Sequence, residues 1–431
     1  MQPDQSGQSA KPGVGAFVAL GILSGTVGLN TVDRNMFGLL LPMIQKDIAI
    51  SDTGLGFLMG PAFVIVYSIA GVPIAWLADK AGRKSIIAAG LALWSAVTAM
   101  TGLASTMAHL FAARIMLGIG EASNMAPSSA LIGDLFPQRY RVMAMAVFAA
   151  GGPVAIMIFY PTIGWIAQNH GWRYAYPLMG TIGLLVAVLT MAFVREPGRD
   201  RGAAADAAGG DDTLTFRAAA SSVLRSGRFL LLCAGGVAVS INYSALLAWF
   251  PTFMERVHGL DAQQVGAMLG MYKGLLGVAA TIGGGLLVTW LMRFDARWLA
   301  WAPLICVLGM VPAQFMLLLA ATPLAWHLGL ALDTILMSIV TPCLFALLIT
   351  LLEPRIRATG TALYLLIFNL IGQSVGPVIV GALNDGPLIG LGSAAIRYSL
   401  LAAPAAMGLG ALFLYGLSIA MARVQAGSAV S

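Results

Sequence analysis

Twelve apolar segments, each long enough to cross a bilayer, constrain this sequence more than any other feature. Short charged or Pro- and Gly-rich joints separate them. A membrane helix needs about 20 apolar residues to cross a hydrocarbon core of about 30 Å. Backbone groups in lipid must be hydrogen-bonded within the chain, so such segments form helices. Only 10% of the residues are charged, against about 25% in soluble domains. The sequence therefore predicts an all-α membrane protein with twelve transmembrane helices.

Positively charged residues fall mainly on one side of these segments. When the loops are assigned alternately to two sides, one side carries seventeen Lys and Arg residues and the other carries four. Cytoplasmic loops of membrane proteins carry the excess of Lys and Arg, so both termini are predicted to face the cytoplasm. The net charge of +6 is therefore interpreted as a topology signal and not as a sign of nucleic-acid binding.

A polar stretch divides the chain into two similar halves. Residues 196–227 are rich in Gly, Ala and Asp and cannot bury a core, which predicts a flexible cytoplasmic linker. Part of this region, residues 213–228, is predicted to form a short amphipathic helix at the membrane interface. The domains are thus predicted at residues 1–195 and 228–431, each a bundle of six helices. Two bundles of one topology, related by an axis along the membrane normal, are a transporter architecture. Features repeated at half of the chain length support it: Gly56 and Gly60 match Gly266 and Gly270, and Pro161 matches Pro377.

Two of the twelve segments carry charged side chains near mid-depth. The first segment contains Asp33 and Arg34, and the fourth contains Arg114 and Glu121. An ionised group at the centre of a membrane helix costs roughly 2.5 to 3.5 kcal/mol, so these groups are retained only with partners. Arg114 and Glu121 are seven residues apart, about two helical turns, so they share one helix face. That face can offer one cation and one anion to the first segment.

Two interpretations of these four residues stay open. The first is a structural ion-pair network that joins two helices. The second is a proton pathway, which intramembrane ionisable groups commonly mark. Arginine stays protonated at accessible pH, so Asp33 and Glu121 would take up and release the proton. Arg34 and Arg114 would act as moving counter-charges. Burial disfavours an ionised carboxylate and a nearby guanidinium favours it, so moving the cation would link proton affinity to conformation.

A charged loop follows the second segment. The sequence Leu-Ala-Asp-Lys-Ala-Gly-Arg-Lys at residues 77–84 ends one helix on Asp79, turns at Gly82 and begins the next helix with Arg83. An acid at a helix end can pair with basic groups of a neighbour in one conformation and release them in another. The loop is therefore predicted to be a cytoplasmic gate motif, and an ordinary basic turn is the alternative.

The second half carries fewer buried charges. Lys273 and Asp333 fall within its apolar segments and could pair as a structural bridge, or Lys273 could receive an anionic head group. Polar residues at membrane depth face protein or water and not lipid, although many only bond a neighbouring helix. The predicted candidates for a substrate cavity are Asn30, Asn242, Tyr243, Lys273, Asp333, Tyr364, Asn369 and Gln373.

The loop at residues 77–84 resembles the loop signature of the major facilitator superfamily, except that Ala75 stands where that family usually has Gly. The run Arg-Ile-Met-Leu-Gly-Ile-Gly-Glu at residues 114–121 resembles the fourth-helix signature of the same family. With Asp33 and Arg34 in the first segment, the sequence most closely resembles bacterial Spinster-type transporters. The resemblance implies a proton-coupled carrier of lysophospholipids or sphingoid phosphates. Such a carrier works by alternating access and lies in the bacterial inner membrane.

Other substrates stay open. Sugar acids, other small organic anions and drugs are alternatives, because their carriers share the implied fold. An apolar, Met-rich cavity would favour lipids, and the sequence has 22 methionines. The sequence shows no Ser, His and Asp or Cys and His constellation suited to catalysis or metal binding. We therefore expect no enzyme and no cofactor, with protons as the coupling ion. The expected partners are an amphipathic or anionic small molecule and the bilayer, with no nucleic acid, and the protein is expected to be a monomer.

Overall fold

The computed structural model describes residues 12–196 and 216–428, except for residues 296 and 354. Every regular element in these ranges is helical. Eleven helical stretches among them are long and apolar enough to cross a membrane. The predicted all-α membrane fold is therefore confirmed. Residues 197–215 of the predicted linker lie outside the described residues.

In chain order the α-helices are α1 Val14–Asp47, α2 Asp52–Met59, α3 Pro61–Ala81, α4 Arg83–Thr101, α5 Met107–Glu121, α6 Met125–Leu135, α7 Gln138–His170, α8 Trp172–Phe193, α9 Phe216–Arg225, α10 Gly227–His258, α11 Ala262–Leu269, α12 Gly277–Leu291, α13 Trp298–Leu319, α14 Pro323–Leu351, α15 Arg357–Ile367, α16 Ser374–Asp385, α17 Ala395–Ser399 and α18 Ala402–Ser428. Two π-helical turns join α11 to α12 and α15 to α16, namely Gly270–Leu276 and Phe368–Gln373.

A break in the fourth predicted segment explains why eleven continuous spans are observed where the sequence predicts twelve. Helix α5 has 15 residues and ends at Glu121, and α6 has 11 residues and begins at Met125. Neither reaches the length of a spanning helix alone. The hydroxyl of Ser123 donates a hydrogen bond of 2.7 Å to the carbonyl oxygen of Gly120, which satisfies a backbone acceptor at the break. The segment is apolar throughout, so hydropathy does not reveal this turn.

The chain forms two compact units, each dominated by one half of the sequence. Unit 1 contains residues 12–50, 62–196 and 260–274, and unit 2 contains residues 51–61, 216–259 and 275–428. Each unit therefore includes one short segment from the other half of the sequence. Helix α2 packs in unit 2, and α11 packs in unit 1.

The two exchanged segments use the same packing device. In unit 2, a Cβ on Gly56 of α2 would lie 2.6 Å from the carbonyl oxygen of Pro377 in α16. In unit 1, a Cβ on Gly266 of α11 would lie 2.4 Å from the carbonyl oxygen of Tyr160 in α7. Only glycine permits such close contact between helix backbones. The glycine repeat seen in the sequence therefore corresponds to one packing motif that is used twice.

Unit 1 is held by close packing of α1 on α7. A Cβ on Gly28 would lie 2.8 Å from the carbonyl oxygen of Gly151, so the two helices meet backbone to backbone. The apolar core beside this crossing joins α1, α4, α6 and α7. Its fully buried members include Leu23, Ile87, Leu131, Ile132 and Phe148. This packing brings the polar face of α1 against α5 and α6.

Unit 2 has a larger core, built from α10, α13, α14, α15 and α18. Phe229 at the start of α10 and Tyr364 in α15 are among its buried side chains. The predicted amphipathic helix at residues 213–228 is observed as α9, and its Val223 is buried in this core. Helix α9 is therefore attached to unit 2 through an apolar contact.

Candidate functional site

The centre of unit 1 is a buried ion pair between α1 and α5. Arg34 Nη2 lies 3.4 Å from Glu121 Oε2. The amide of Asn30 donates a hydrogen bond of 3.0 Å to the same carboxylate oxygen. The Glu121 side chain is 0% exposed, whereas the Arg34 side chain is 25% exposed. The other oxygen of Glu121, Oε1, is buried and has no hydrogen-bond partner among the described residues. Of the two carboxylate oxygens, only Oε2 therefore has polar partners among the described residues.

Two aromatic rings of α3 lie beside Arg34, the partly exposed member of this pair. The guanidinium carbon of Arg34 lies 4.8 Å from the ring centres of both Phe63 and Tyr67. The two rings are stacked, with centroids 5.6 Å apart. A cation over an aromatic face gains about 0.5 to 2 kcal/mol, more when it is desolvated. These rings hold Arg34 in place and supply an apolar surface beside its charge.

Asp33 points into a small cavity next to this ion pair. The cavity has a volume of about 10 Å³ and is lined by Asp33, Thr98, Arg114 and Tyr176 together with apolar side chains. A space of this size is at the lower limit for one water molecule. Asp33 is buried, and its Oδ1 has no hydrogen-bond partner among the described residues. The predicted carboxylates therefore belong to one unit, but only Glu121 forms an ion pair with an arginine within 4.0 Å.

Arg114 is buried, and no carboxylate of the described residues lies within 4.0 Å of its guanidinium. Its Nη1 lies 3.5 Å from the backbone carbonyl oxygen of Arg34, and its guanidinium lies 4.3 Å from the ring centre of Phe37. A backbone carbonyl and an aromatic face are weaker partners than an ionised acid. The expected symmetrical pairing of two acids with two arginines is thus observed as one ion pair, with Asp33 and Arg114 on the wall of a shared cavity.

The break between α5 and α6 continues the polar surface beyond Glu121. Thr26 of α1 donates a hydrogen bond of 2.9 Å to Asn124 Oδ1. Ser128 of α6 donates a second one, of 3.1 Å, to the same oxygen. Thr26 and Asn30 are four residues apart and share a face of α1. One face of α1 therefore contacts both the end of α5 and the turn that follows it.

The predicted gate motif lies at the joint between α3 and α4. Gly82 has φ of +97°, a backbone conformation that residues with a side chain rarely adopt. The backbone N–H of Arg83 donates a hydrogen bond of 3.0 Å to the carboxylate of Glu196. The side chain of Arg83 pairs with Asp134. Acids at the start of a helix are stabilised by its dipole. The side chain of Asp79 lies outside the described residues.

Unit 2 contains a buried chain of amides and one acid. Asn242 of α10 donates a hydrogen bond of 2.8 Å to Gln314 Oε1 of α13. Gln314 Nε2 donates in return to Asn242 Oδ1 at 3.2 Å and to Asp333 Oδ1 of α14 at 2.8 Å. All three side chains are buried. Lys273 belongs to unit 1 by its packing, so its pairing with Asp333 stays a prediction.

The remaining cavity candidates occupy different environments in unit 2. Tyr243 is 38% exposed, and Tyr364 lies within the hydrophobic core with its ring stacked on Phe368. Asn369 donates a hydrogen bond of 2.8 Å to the carbonyl oxygen of Leu365 in its own helical segment. Gln373 donates to Asn369. These last two residues form a pair along one face of the π-helical turn and its neighbours.

Unit 2 also contains a charged cluster that the sequence analysis did not single out. Asp52 at the start of α2 accepts two hydrogen bonds from Arg256 at the end of α10, at 2.7 and 2.9 Å. Asn384 of α16 donates a third bond of 2.9 Å to Asp52. The carboxylate of Asp385 accepts from the backbone N–H groups of Asp52 and Thr53. This cluster anchors the first turn of α2 in unit 2.

Sequence signals could have found some of the residues that were missed. Gln314 is the one polar residue in the apolar run of α13. An amide at membrane depth commonly forms a hydrogen bond to a neighbouring helix, so its position predicts such a bond. Asp52 and Arg256 lie near segment ends, where charges are common, so no signal separates them from ordinary loop residues. Among the described residues, no group of three or more His, Cys, Asp or Glu side chains could hold a metal ion.

Comparisons with known proteins all point to one family of membrane transporters. A model of the Major Facilitator Superfamily matches residues 23–377. An MFS-type efflux pump of Mycolicibacterium smegmatis is 31% identical over 95% of this chain and 94% of its own length. The sphingosine-1-phosphate transporter SPNS2 of Danio rerio is 27% identical over 85% of this chain and 76% of its length. The probable galactarate/D-glucarate transporter GudP of Bacillus subtilis is 27% identical over 69% of this chain and 70% of its length.

The fold is similar to that of a solved transporter. The crystal structure of a bacterial homolog to the human lysosomal transporter Spinster, in an inward-facing and unoccupied conformation, matches with a TM-score of 0.77. The match covers 95% of this chain and 98% of that chain, at 24% sequence identity. At this identity the likeness shows the fold. It agrees with the resemblance to Spinster-type transporters that the sequence motifs indicate.

Proposed function

The chain belongs to the major facilitator superfamily of membrane transporters, and on this premise we propose that it is a proton-coupled carrier that works by alternating access. It is a multi-pass membrane transporter and not an enzyme. In the proposed mechanism Glu121 and Asp33 take up and release the proton, and Arg34 and Arg114 are the counter-charges. The proposed mechanism uses no cofactor, and the proton is its coupling ion.

The state of Glu121 carries this proposal. The residue is 0% exposed, it pairs with a single guanidinium, and its second oxygen has no hydrogen-bond partner among the described residues. A carboxylate in such a site is ionised only while its cation stays near, because burial favours the neutral acid. Movement of Arg34 away from Glu121 would therefore be accompanied by uptake of a proton. This links a change in charge to a change in helix position.

The substrate is proposed to be an amphipathic molecule with an anionic group, of the lysophospholipid or sphingoid phosphate class. Arg34 is the more exposed member of its ion pair, so an anion can reach its guanidinium. A phosphate or carboxylate on the substrate would replace Glu121 as the partner of Arg34 once Glu121 is protonated. The rings of Phe63 and Tyr67 beside the guanidinium suit an apolar chain next to the anionic group. The similarity to SPNS2, a sphingosine-1-phosphate transporter, supports this class.

Sugar acids form the second candidate class. The relationship to GudP favours them, and a carboxylate would use the same guanidinium. A drug is the third candidate, which the similarity to an efflux pump supports. The proposal also includes a location in the bacterial inner membrane, cytoplasmic termini and a monomeric unit. The unequal distribution of Lys and Arg between the two sides supports the orientation.

Transport by the purified chain in proteoliposomes tests the proposal. An imposed pH gradient should drive accumulation of a labelled lysophospholipid, with glucarate and a cationic dye assayed in parallel. Asp33→Asn and Glu121→Gln should abolish accumulation, because neither variant can carry the proton at that position. Exchange of labelled for unlabelled substrate at equal pH should persist in Glu121→Gln, since exchange needs no net proton movement.

The matched control is Glu353→Gln, which makes the same chemical change at an exposed carboxylate. It should behave as the unaltered chain. Full gradient-driven accumulation in both Asp33→Asn and Glu121→Gln would refute proton coupling at these residues. Accumulation of glucarate in place of the lysophospholipid would refute the substrate class and leave the coupling intact.

A further inference from the structure

A groove on unit 2 lies between the start of α10 and the end of α18. Its volume is about 790 Å³, within the range of about 300 to 1,000 Å³ that is usual for ligand pockets. Leu230, Leu231 and Ala234 of α10 form one wall, and Phe413 and Ala420 of α18 form the other. The groove opens to the surface of the unit, and these five wall residues are apolar. Its shape and surface suit an extended hydrocarbon chain.

One end of the groove is positively charged. Arg228, in the first turn of α10, lines the groove directly, together with Ser226 and Gly227. Arg225, the last residue of α9, lies three residues earlier, and both arginines are exposed. Neither has an acidic partner within 4.0 Å among the residues that the structure describes. Arg228 at the end of an apolar groove, with Arg225 one helical turn earlier in the sequence, is complementary to a molecule with one anionic head and one apolar chain.

The helix that precedes the groove fits the same environment. Helix α9 is attached to unit 2 through the buried Val223, while its Leu224 is 42% exposed. An exposed leucine next to exposed arginines is typical of a helix at the interface between head groups and acyl chains. The excess of Lys and Arg predicts that this end of α10 faces the cytoplasmic leaflet, where anionic lipids attract basic clusters.

We propose that this groove binds an anionic phospholipid of the surrounding bilayer. One acyl chain lies between α10 and α18, and the phosphate lies at Arg225 and Arg228. The lipid holds α9 against the rest of unit 2, because its head group contacts the end of α9 and the start of α10 together. The site is separate from the ion pair of Arg34 and Glu121, which belongs to unit 1, and it does not depend on the proposed transport function.

Thermal unfolding of the full chain in detergent tests this site. Added phosphatidylglycerol should raise the melting temperature by about 2 to 4 °C, the shift expected for a ligand that binds only the folded chain. Phosphatidylcholine should give a smaller shift, because it has no net negative charge. Inorganic phosphate should give none, because it has no acyl chain to fill the groove. The double variant Arg225→Gln/Arg228→Gln should lose the response to phosphatidylglycerol.

The matched control removes two charges elsewhere on the same predicted side of the membrane. Arg195→Gln/Arg293→Gln alters two exposed arginines away from the groove and should keep the full response. Ala420→Phe should fill the groove and remove the response with both arginines in place. An undiminished shift in the Arg225→Gln/Arg228→Gln variant would overturn the proposal, and so would an equal shift with phosphatidylcholine or with inorganic phosphate. If Arg225→Gln/Arg228→Gln fails to fold, native mass spectrometry of the unaltered chain and of Ala420→Phe gives the same decision, because only the former should retain phosphatidylglycerol.

Discussion

The two units bury polar residues in different ways. In unit 1 the pair of Arg34 and Glu121 leaves one carboxylate oxygen without a hydrogen-bond partner among the described residues, and two aromatic rings lie beside Arg34. In unit 2 the amide of Gln314 uses its oxygen and its N–H groups on Asn242 and Asp333. The unused oxygen of Glu121 can accept a proton or a new hydrogen-bond donor, whereas the amide groups of the unit 2 network already bond one another. The proposed mechanism therefore assigns the change of partners to unit 1, and the amide network of unit 2 serves as a fixed support.

Removal of the arginine from the pair should have the largest effect. Arg34→Met leaves Glu121 buried without its cation, which costs roughly 3 to 5 kcal/mol for a buried pair and somewhat less here, since Arg34 is partly exposed. The loss should be greater at pH 8 than at pH 5, because a protonated Glu121 needs no counter-charge. Detergent-based unfolding at both pH values measures the difference. Arg293→Met is the control for loss of an exposed arginine, and an equal loss at both pH values in Arg34→Met would contradict the assignment.

Disruption of the amide network should have a medium effect. Asn242→Leu removes an interhelical amide pair at nearly constant volume and should lower stability by about 0.5 to 2 kcal/mol, the range measured for such contacts in membranes. No ionised group loses its counter-charge, so the loss should be the same at pH 5 and pH 8. Gradient-driven transport should persist. Loss of transport without loss of stability would show that Asn242 contacts the substrate, and the contrast between the units would then fail.

A change at the surface of unit 2 should have the smallest effect. The amide of Asn369 bonds the carbonyl oxygen of Leu365 four residues earlier in its own helical segment, so it joins no second helix. Asn369→Ala should therefore change the free energy of unfolding by less than about 0.5 kcal/mol. The same unfolding assay checks this value. A loss close to that of Asn242→Leu would show that the π-helical turn around Asn369 is a structural support as well.

The main components of the candidate site could be predicted from the sequence. Asp33, Arg34, Arg114 and Glu121 stand out because charged side chains are costly at membrane depth. The residues that surround them could not be predicted in this way. Phe63 and Tyr67 are ordinary members of an apolar helix until their rings face Arg34. Their role depends on the rotation of α3 relative to α1, which no local pattern contains.

The same distinction holds for the fold. The glycine repeat was visible in the sequence, yet the exchange of α2 and α11 between the units was not. The break after Glu121 was also hidden, because hydropathy is blind to the turn between α5 and α6. No sequence pattern marks Asn124 in this turn, and only its hydrogen bond with Thr26 shows that it belongs to the site.

The sequence by itself determined that the chain spans a membrane as helices and that Asp33, Arg34, Arg114 and Glu121 lie at membrane depth. Both properties follow from the transfer cost of each residue into lipid, which is a local quantity. The tertiary structure decided which groups meet. It paired Glu121 with Arg34 and Asn30, left Asp33 on a cavity wall, and joined Asp333 to Gln314. Such pairings depend on the angle and depth at which helices pack, and these are set by contacts between residues far apart in the chain.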